Sequence, residues 1–151
     1  MRFGKQGPHL ALSFFEKGGQ LAGATLSLSD TFRCEGGNAA LWEWLELYAQ
    51  KKAPVATWVL DLLQGTDFQR RVAKELVAVP FGQTISYQGL ARKCDSPRGA
   101  RAIGNACNKN PFPLLIPCHR VIQSDGTLGG FAVSYEIKRR LLAFESSLPE
   151  K

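Results

Sequence analysis

The sequence predicts an α+β protein. A small N-terminal α/β lobe, a short antiparallel hairpin plus a helix, precedes a mainly helical C-terminal lobe that contains a helix-turn-helix. Three observations predict it. Residues 9–31 alternate loosely between apolar and polar and break at Lys17-Gly18-Gly19-Gln20, the mark of a hairpin. Leu41, Leu45 and Tyr48, with Trp44 beside them, recur at helical spacing after Gly36-Gly37-Asn38. Beyond Thr66 helical spacing dominates, and two short helical stretches are joined by the tight turn Asp95-Ser96-Pro97.

The elements follow in order. Strands are expected over residues 10–16 and 21–28, and the first helix runs out before Pro54. Residues 55–65 read as a connector with apolar anchors. The division is an N-terminal lobe at 1–58, a connector at 59–65 and a C-terminal domain at 66–151. Thr66-Asp67-Phe68-Gln69 has the form of a capping box. In the helix it opens, Phe68, Val72, Leu76 and Val79 share one side, and Pro80-Phe81-Gly82 ends it. Residues 86–93 form a short helix with Leu90 and Ala91 inward. Ser96 caps and Pro97 opens a second helix over about 98–109, which buries Ala102, Ile103, Ala106 and Cys107. Its small residues Gly99, Ala100, Ala102, Gly104 and Ala106 admit a close neighbour, either another helix or a nucleic-acid groove. Asn110-Pro111-Phe112-Pro113 stops it. Residues 114–122 form a buried segment, Asp125-Gly126 a turn, and Gly129-Gly130 a loop. Ser134 caps the last helix, with Ile137, Leu141 and Phe144 inside and Lys138, Arg139 and Arg140 outside. Glu145 follows Leu141 by four residues and shares its general face.

Composition excludes several classes. At 151 residues and 44% hydrophobic the chain can build a core and is not a disordered composition. No apolar stretch approaches the ~20 residues of a membrane span, and the polar start is not a secretion signal, so a soluble cytoplasmic monomer is expected. The four cysteines (Cys34, Cys94, Cys107, Cys118) form no CxxC pair, and only His9 and His119 could join them. Neither a metal site nor a disulfide framework is expected, and no cofactor. The net charge is +6, and residues 92–120 hold Arg92, Lys93, Arg98, Arg101, Lys109 and Arg120 against the single acid Asp95. That stretch suits a polyanion, or simply a solvated basic face.

Chemistry concentrates at Pro117-Cys118-His119-Arg120. A thiolate is the reactive form of cysteine, and a free thiol with a pKa of ~8.5 is mostly protonated at neutral pH, so a nucleophilic cysteine needs a proton acceptor. His119 is adjacent, but neighbours along a strand point to opposite faces. The dipeptide alone is also what a buried, inert cysteine would show.

The flanking residues decide the matter. Thr66-Asp67-Phe68-Gln69, Val79-Pro80-Phe81-Gly82, Ile85-Ser86-Tyr87, Arg101-Ala102-Ile103-Gly104, Asn110-Pro111, Ile116-Pro117-Cys118-His119-Arg120-Val121-Ile122 and residues 138–145 resemble, in order and spacing, the O6-alkylguanine-DNA alkyltransferases. The resemblance implies direct, single-turnover repair of double-stranded DNA. A flipped-out O6-alkylguanine, reached through the minor groove, would pass its alkyl group to Cys118. Base chemistry inside a duplex requires such extrusion. O4-alkylthymine is left open as a substrate. By the same resemblance His119 takes the thiol proton through a water and Glu145 orients the imidazole. Tyr87 donates to the leaving purine, and Asn110 braces the turn, where it can be a helix C-cap at the same time. Arg101 fills the space of the flipped base. Ser86, Ala100, Ala102 and Gly104 lie along the DNA, and Pro113, Val121, Phe131 and Ala132 line the pocket. The carbonyls of Cys118 and Val121 would accept from the guanine amino group, and the Ala132 amide would donate to O6. Phe131, Ala132 and Val133-Ser134 depart from the family's usual tyrosine, serine and Gly-Gly, which leaves the tolerated alkyl size open. Two other classes share parts of the pattern. A non-catalytic lesion binder would lack the cysteine, and a cysteine hydrolase leaves the helix-turn-helix and Arg101 unexplained.

Overall fold

Two neighbouring glycines set the first fold decision. Gly18 and Gly19 both take positive φ (62° and 79°), the backbone that a two-residue hairpin turn of matching twist requires. The computed structural model describes residues 1, 3, 7–52, 55–129 and 134–146. In it β1 (Leu10–Lys17) pairs antiparallel with β2 (Gln20–Leu28) in a register running from Leu10 opposite Leu28 to Lys17 opposite Gln20. A third strand, β3 (Arg33–Glu35), lies parallel on the other side of β1, so the order is β2-β1-β3. The sequence reading lacks β3, because three residues with one buried side chain (Cys34) show no usable periodicity.

Helix α1 (Ala39–Ala49) starts where Asn38 Oδ1 accepts from the Leu41 amide at 3.0 Å, and buries Leu41, Trp44, Leu45 and Tyr48. The connector carries a 3-10 segment, Thr57–Leu62, that buries Val59. Helix α2 (Asp67–Val77) has the expected capping box, with Thr66 and Gln69 bonded reciprocally. A two-residue strand β4 (Ile85–Ser86) leads into α3 (Tyr87–Lys93), and α4 (Ala100–Asn108) completes the helix-turn-helix. After the buried segment, β5 (Val121–Ile122) pairs in parallel with β4. The last helix, α5 (Tyr135–Ser146), has Ser134 Oγ accepting from the Ile137 amide at 3.1 Å.

One buried apolar cluster runs through both lobes, from Leu10, Leu12 and Tyr48 through Val59 and Leu63 to Leu76, Leu90, Ile103 and Leu141. The edge of β2 is tied across as well: the Ala24 amide donates to the Pro111 carbonyl at 2.9 Å. The α+β class is as expected.

Two expectations need correction. The second helix of the helix-turn-helix begins at Ala100 rather than near Arg98, and Ser96 does not cap it. Gly99 occupies the N-cap with φ 64° and ψ −145°, a conformation essentially confined to glycine, so the chain cannot be helical before it. Lys138 is not outside but fully buried on α5. Gly99→Ala should cost about 1–3 kcal/mol, since the penalty lies in φ and ψ while the space beside Gly99 is open. Equilibrium denaturation measures it, and an unchanged midpoint would refute the strain assignment.

Candidate active site

Cys118 opens a 3-10 turn, Cys118–Arg120, directly after the buried run Phe112 to Pro117. Leu114 takes φ 77°, a genuine strain for a bulky residue, and the turn it makes lets the Ile116 amide reach the Phe112 carbonyl at 2.9 Å. Asn110 braces this turn. Its Oδ1 accepts from the Phe112 amide (2.9 Å), and its Nδ2 donates to the Ile116 carbonyl (2.8 Å) and to Cys118 Sγ (3.2 Å). Lys109, not Asn110, is the C-cap of α4. The asparagine is thus a brace that also touches the sulfur.

Cys118 is only 2% exposed. Burial pushes its thiol up to about 11, against the Asn110 hydrogen bond and the charge of Lys138, which pull it down. At neutral pH the resting group is therefore a thiol, and deprotonation has to accompany its reaction.

His119 and Glu145 are both buried, and His119 Nε2 lies 2.6 Å from Glu145 Oε2. Burial alone would raise the Glu145 carboxyl, but His119 and Arg120 outweigh it and hold the group at about 2. An ionised carboxylate only accepts, so Nε2 carries the proton. Burial lowers the pKa of His119 against the pull of Glu145, so the ring is neutral and Nδ1 holds a lone pair. Nδ1 has no hydrogen-bond partner among the described residues. The imidazole is thus a base with one fixed tautomer.

The carboxylate gathers more than the sequence reading assigned to it. Arg120 donates through Nε to Oε1 (2.7 Å) and through Nη2 to Oε2 (3.2 Å), while its Nη1 reaches the Val79 carbonyl (2.8 Å). The Tyr48 hydroxyl donates to Oε2 at 2.6 Å from the N-terminal lobe. Lys138 Nζ donates to the Val121 carbonyl at 2.6 Å and lies 5.7 Å from the Tyr87 ring centroid. The sequence did contain a signal for Lys138. It stands seven residues, two turns, before Glu145 on the same helix, so an inward Glu145 implies an inward Lys138. Nothing local could have found Tyr48.

The parallel pair β4–β5 sets Ile85 opposite Val121, which brings the start of α3 to the active-site segment. There Tyr87 is half-buried. Burial, then the nearby Cys107 and Cys118, push its hydroxyl up to about 12, so it stays a proton donor. Ser86 Oγ caps α3 by accepting from the Gly89 amide at 2.9 Å. On α4, Arg101 is exposed, Ala100, Ala102 and Gly104 are half-buried, and a Cβ on Gly104 would meet open space. Pro113 and Val121 are buried beside the thiol segment, and one lone pair of the Val121 carbonyl is taken by Lys138. Phe131 and Ala132 lie outside the described residues. The sulfur of Cys34 lies 3.5 Å from the Gly36 carbonyl.

A two-stranded ladder thus clips a helix-turn-helix to the buried turn that carries Cys118 and His119, with the Glu145 carboxylate against the imidazole. Residues 67–147 match the family described as the DNA-binding domain of 6-O-methylguanine DNA methyltransferase, and the chain belongs to that family. Curated relatives include two methylated-DNA–protein-cysteine methyltransferases. That of Methanosarcina barkeri is 48% identical over 84 residues, 56% of this chain and 53% of that protein. That of Mus musculus is 44% identical over 111 residues, 68% of this chain and 52% of that protein. The chain spans about half the length of the curated relatives it matches. Among solved structures, Mycobacterium tuberculosis OGT in complex with DNA superposes with a TM-score of 0.65 at 28% identity, over 89% of this chain and 92% of that one. The O6-methylguanine-DNA methyltransferase of Pyrococcus kodakaraensis shares the fold, with a TM-score of 0.67 at 22% identity.

Glu145 makes a pH prediction. Its folded pKa of about 2 lies below the ordinary 4.5, so its stabilisation is present above pH 4.5 and is lost as pH falls toward 2. Glu145→Gln should therefore lower stability at neutral pH and lose less of it between those two values than wild type. Parallel acid limbs in denaturation would contradict the assignment.

Proposed function

We propose that the chain repairs double-stranded DNA by moving an alkyl group from O6 of guanine to Cys118, once per molecule and without a cofactor. The observation that carries the reading is the buried His119–Glu145 pair, which leaves an imidazole lone pair on the residue that follows a thiol kept protonated at neutral pH by burial. Family membership and the relatives' names support the substrate class.

The step follows from the groups present. The Cys118 proton passes to His119 Nδ1, through a bridging water in the reading by resemblance, and Glu145 stabilises the imidazolium. The thiolate attacks the alkyl carbon, the S–C bond forms as the C–O6 bond breaks, and the electron pair stays on the purine. Tyr87 donates toward the leaving purine, which offsets its developing charge. Lys138 and the Asn110 amide favour the sulfur anion during attack, since both pull the thiol pKa down. The S–C bond of the thioether is stable to water at neutral pH, so the chain is spent after one event.

Residues 66–151 carry DNA binding and transfer in this proposal, and residues 1–58 form the supporting lobe. The exposed Arg101 on α4 occupies the gap of the everted base, while Ser86, Ala100, Ala102 and Gly104 line the approach to the minor groove. Pro113 and Val121 line the pocket in this proposal, and the part that the resemblance gives to Phe131 and Ala132 falls outside the described residues. Minor-groove readout is degenerate, so binding should depend weakly on sequence and strongly on salt. Among the described residues no helix is long and apolar enough to cross a membrane, and we assign the chain to the cytoplasm.

Incubation with duplex DNA containing O6-methylguanine should add the mass of one methylene to the intact chain. Cys118→Ala should add nothing while still binding DNA. A wild-type chain that never gains the mass ends the reading. Arg101→Ala should slow transfer from duplex DNA far more than transfer from free O6-alkylguanine, because only the duplex requires eversion. Equal losses on both substrates would remove Arg101 from that role.

A further inference from the structure

Tyr48 lies 97 residues from Glu145 in the chain, yet its hydroxyl donates to Glu145 Oε2 at 2.6 Å in a buried contact. The same oxygen lies 2.6 Å from His119 Nε2. The tyrosine ring has little freedom to choose another acceptor. It stacks on Trp44 at 5.3 Å, meets Phe81 edge-on at 5.5 Å, and lies 5.4 Å from Phe144 and 6.1 Å from Phe32. Alongside, Lys51 from the end of α1 donates to the Phe144 carbonyl at 3.0 Å. The N-terminal lobe therefore grips the end of α5 at two successive residues, and one of these is the carboxylate of the proton relay.

We propose that Tyr48 is a positioning residue of the alkyl-transfer site, through which the N-terminal lobe orients Glu145 and sets how firmly His119 holds a proton. The inference rests on the reading of Cys118 as the alkyl acceptor and deepens it, giving residues 1–58 a part in the chemistry. A carboxylate oxygen that already accepts a short hydrogen bond has less electron density to offer the imidazole. The imidazolium is then less stabilised, and His119 stays neutral and able to take a proton. The other charges facing the pair act in fixed ways. Arg120 neutralises the carboxylate from the active-site turn, and Lys138 on α5 opposes protonation of His119. Tyr48 is the neutral donor among them. Burial, reinforced by Glu145, raises its own pKa well above 10, so it remains a donor wherever the reaction runs.

Tyr48→Phe keeps the ring and removes the hydroxyl. In the full chain, transfer from duplex DNA carrying O6-methylguanine should slow about tenfold near neutral pH, the scale of one hydrogen bond to a charged group. The rising limb of the pH–rate profile and the NMR titration of His119 should both move to higher pH, with His9, the second of two histidines, as internal reference. Site-specific 3-fluorotyrosine at position 48, a stronger donor that preserves packing, should move the His119 titration to lower pH, and it decides the matter if Tyr48→Phe fails to fold. A His119 titration unmoved by these replacements overturns the proposal, whether or not the rate falls, because lost packing alone would not shift it. If wild type transfers no methyl group, the alkyl-transfer reading fails, while the titrations still decide what Tyr48 does to His119.

Discussion

A buried carboxylate is expensive unless every lone pair is engaged, and Glu145 is the group around which this structure is arranged. Its two oxygens take Arg120, His119 and Tyr48, contributed by the active-site turn and by the first helix. Removing one partner of such a pair typically costs about 3–5 kcal/mol, because the other charge is stranded. The cluster therefore ties the end of α5, the thiol turn and α1 into one unit, and the shared apolar core follows the same path. Active-site geometry and interlobe packing are the same set of contacts.

The reactive sulfur sits in an environment that suppresses reactivity at rest. Burial raises the thiol to about 11, and the groups that favour the anion, Asn110 and Lys138, do not overcome it. For the single transfer proposed above, this is a sensible compromise: the thiol is poorly nucleophilic toward stray electrophiles. In that proposal the proton leaves for His119 only as the sulfur attacks. Lys138 links the two halves of this arrangement, since one ammonium bonds the Val121 carbonyl, lies by the Tyr87 ring and bears on the sulfur.

Local rules were legible wherever a short-range interaction decides the backbone. The Gly18-Gly19 turn, the Ser134 cap and the Thr66–Gln69 box each depend on residues a few positions apart, and each is where the pattern puts it. The failures have separate causes. Strand β3 and the β4–β5 pair are two or three residues long, and only partners far along the chain make them strands. The late start of α4 turned on a single backbone conformation at Gly99, which a serine-proline signal two residues earlier concealed. Lys138 was assigned to the surface by residue type, although its helical phase matches that of Glu145.

By itself the sequence determined the local elements, the α+β class and the chemical types in the centre: a thiol, an imidazole, a carboxylate and an amide brace. Periodicity, capping and turn chemistry act over a handful of residues, and residue type fixes what each group can do. Only the tertiary structure decided which groups meet. His119 and Glu145 are 26 positions apart, Tyr48 and Glu145 are 97 apart, and neither pairing leaves a trace in local pattern. Protonation states were settled there too, because burial and neighbouring charge, not residue type, keep Cys118 a thiol, His119 neutral and Glu145 ionised.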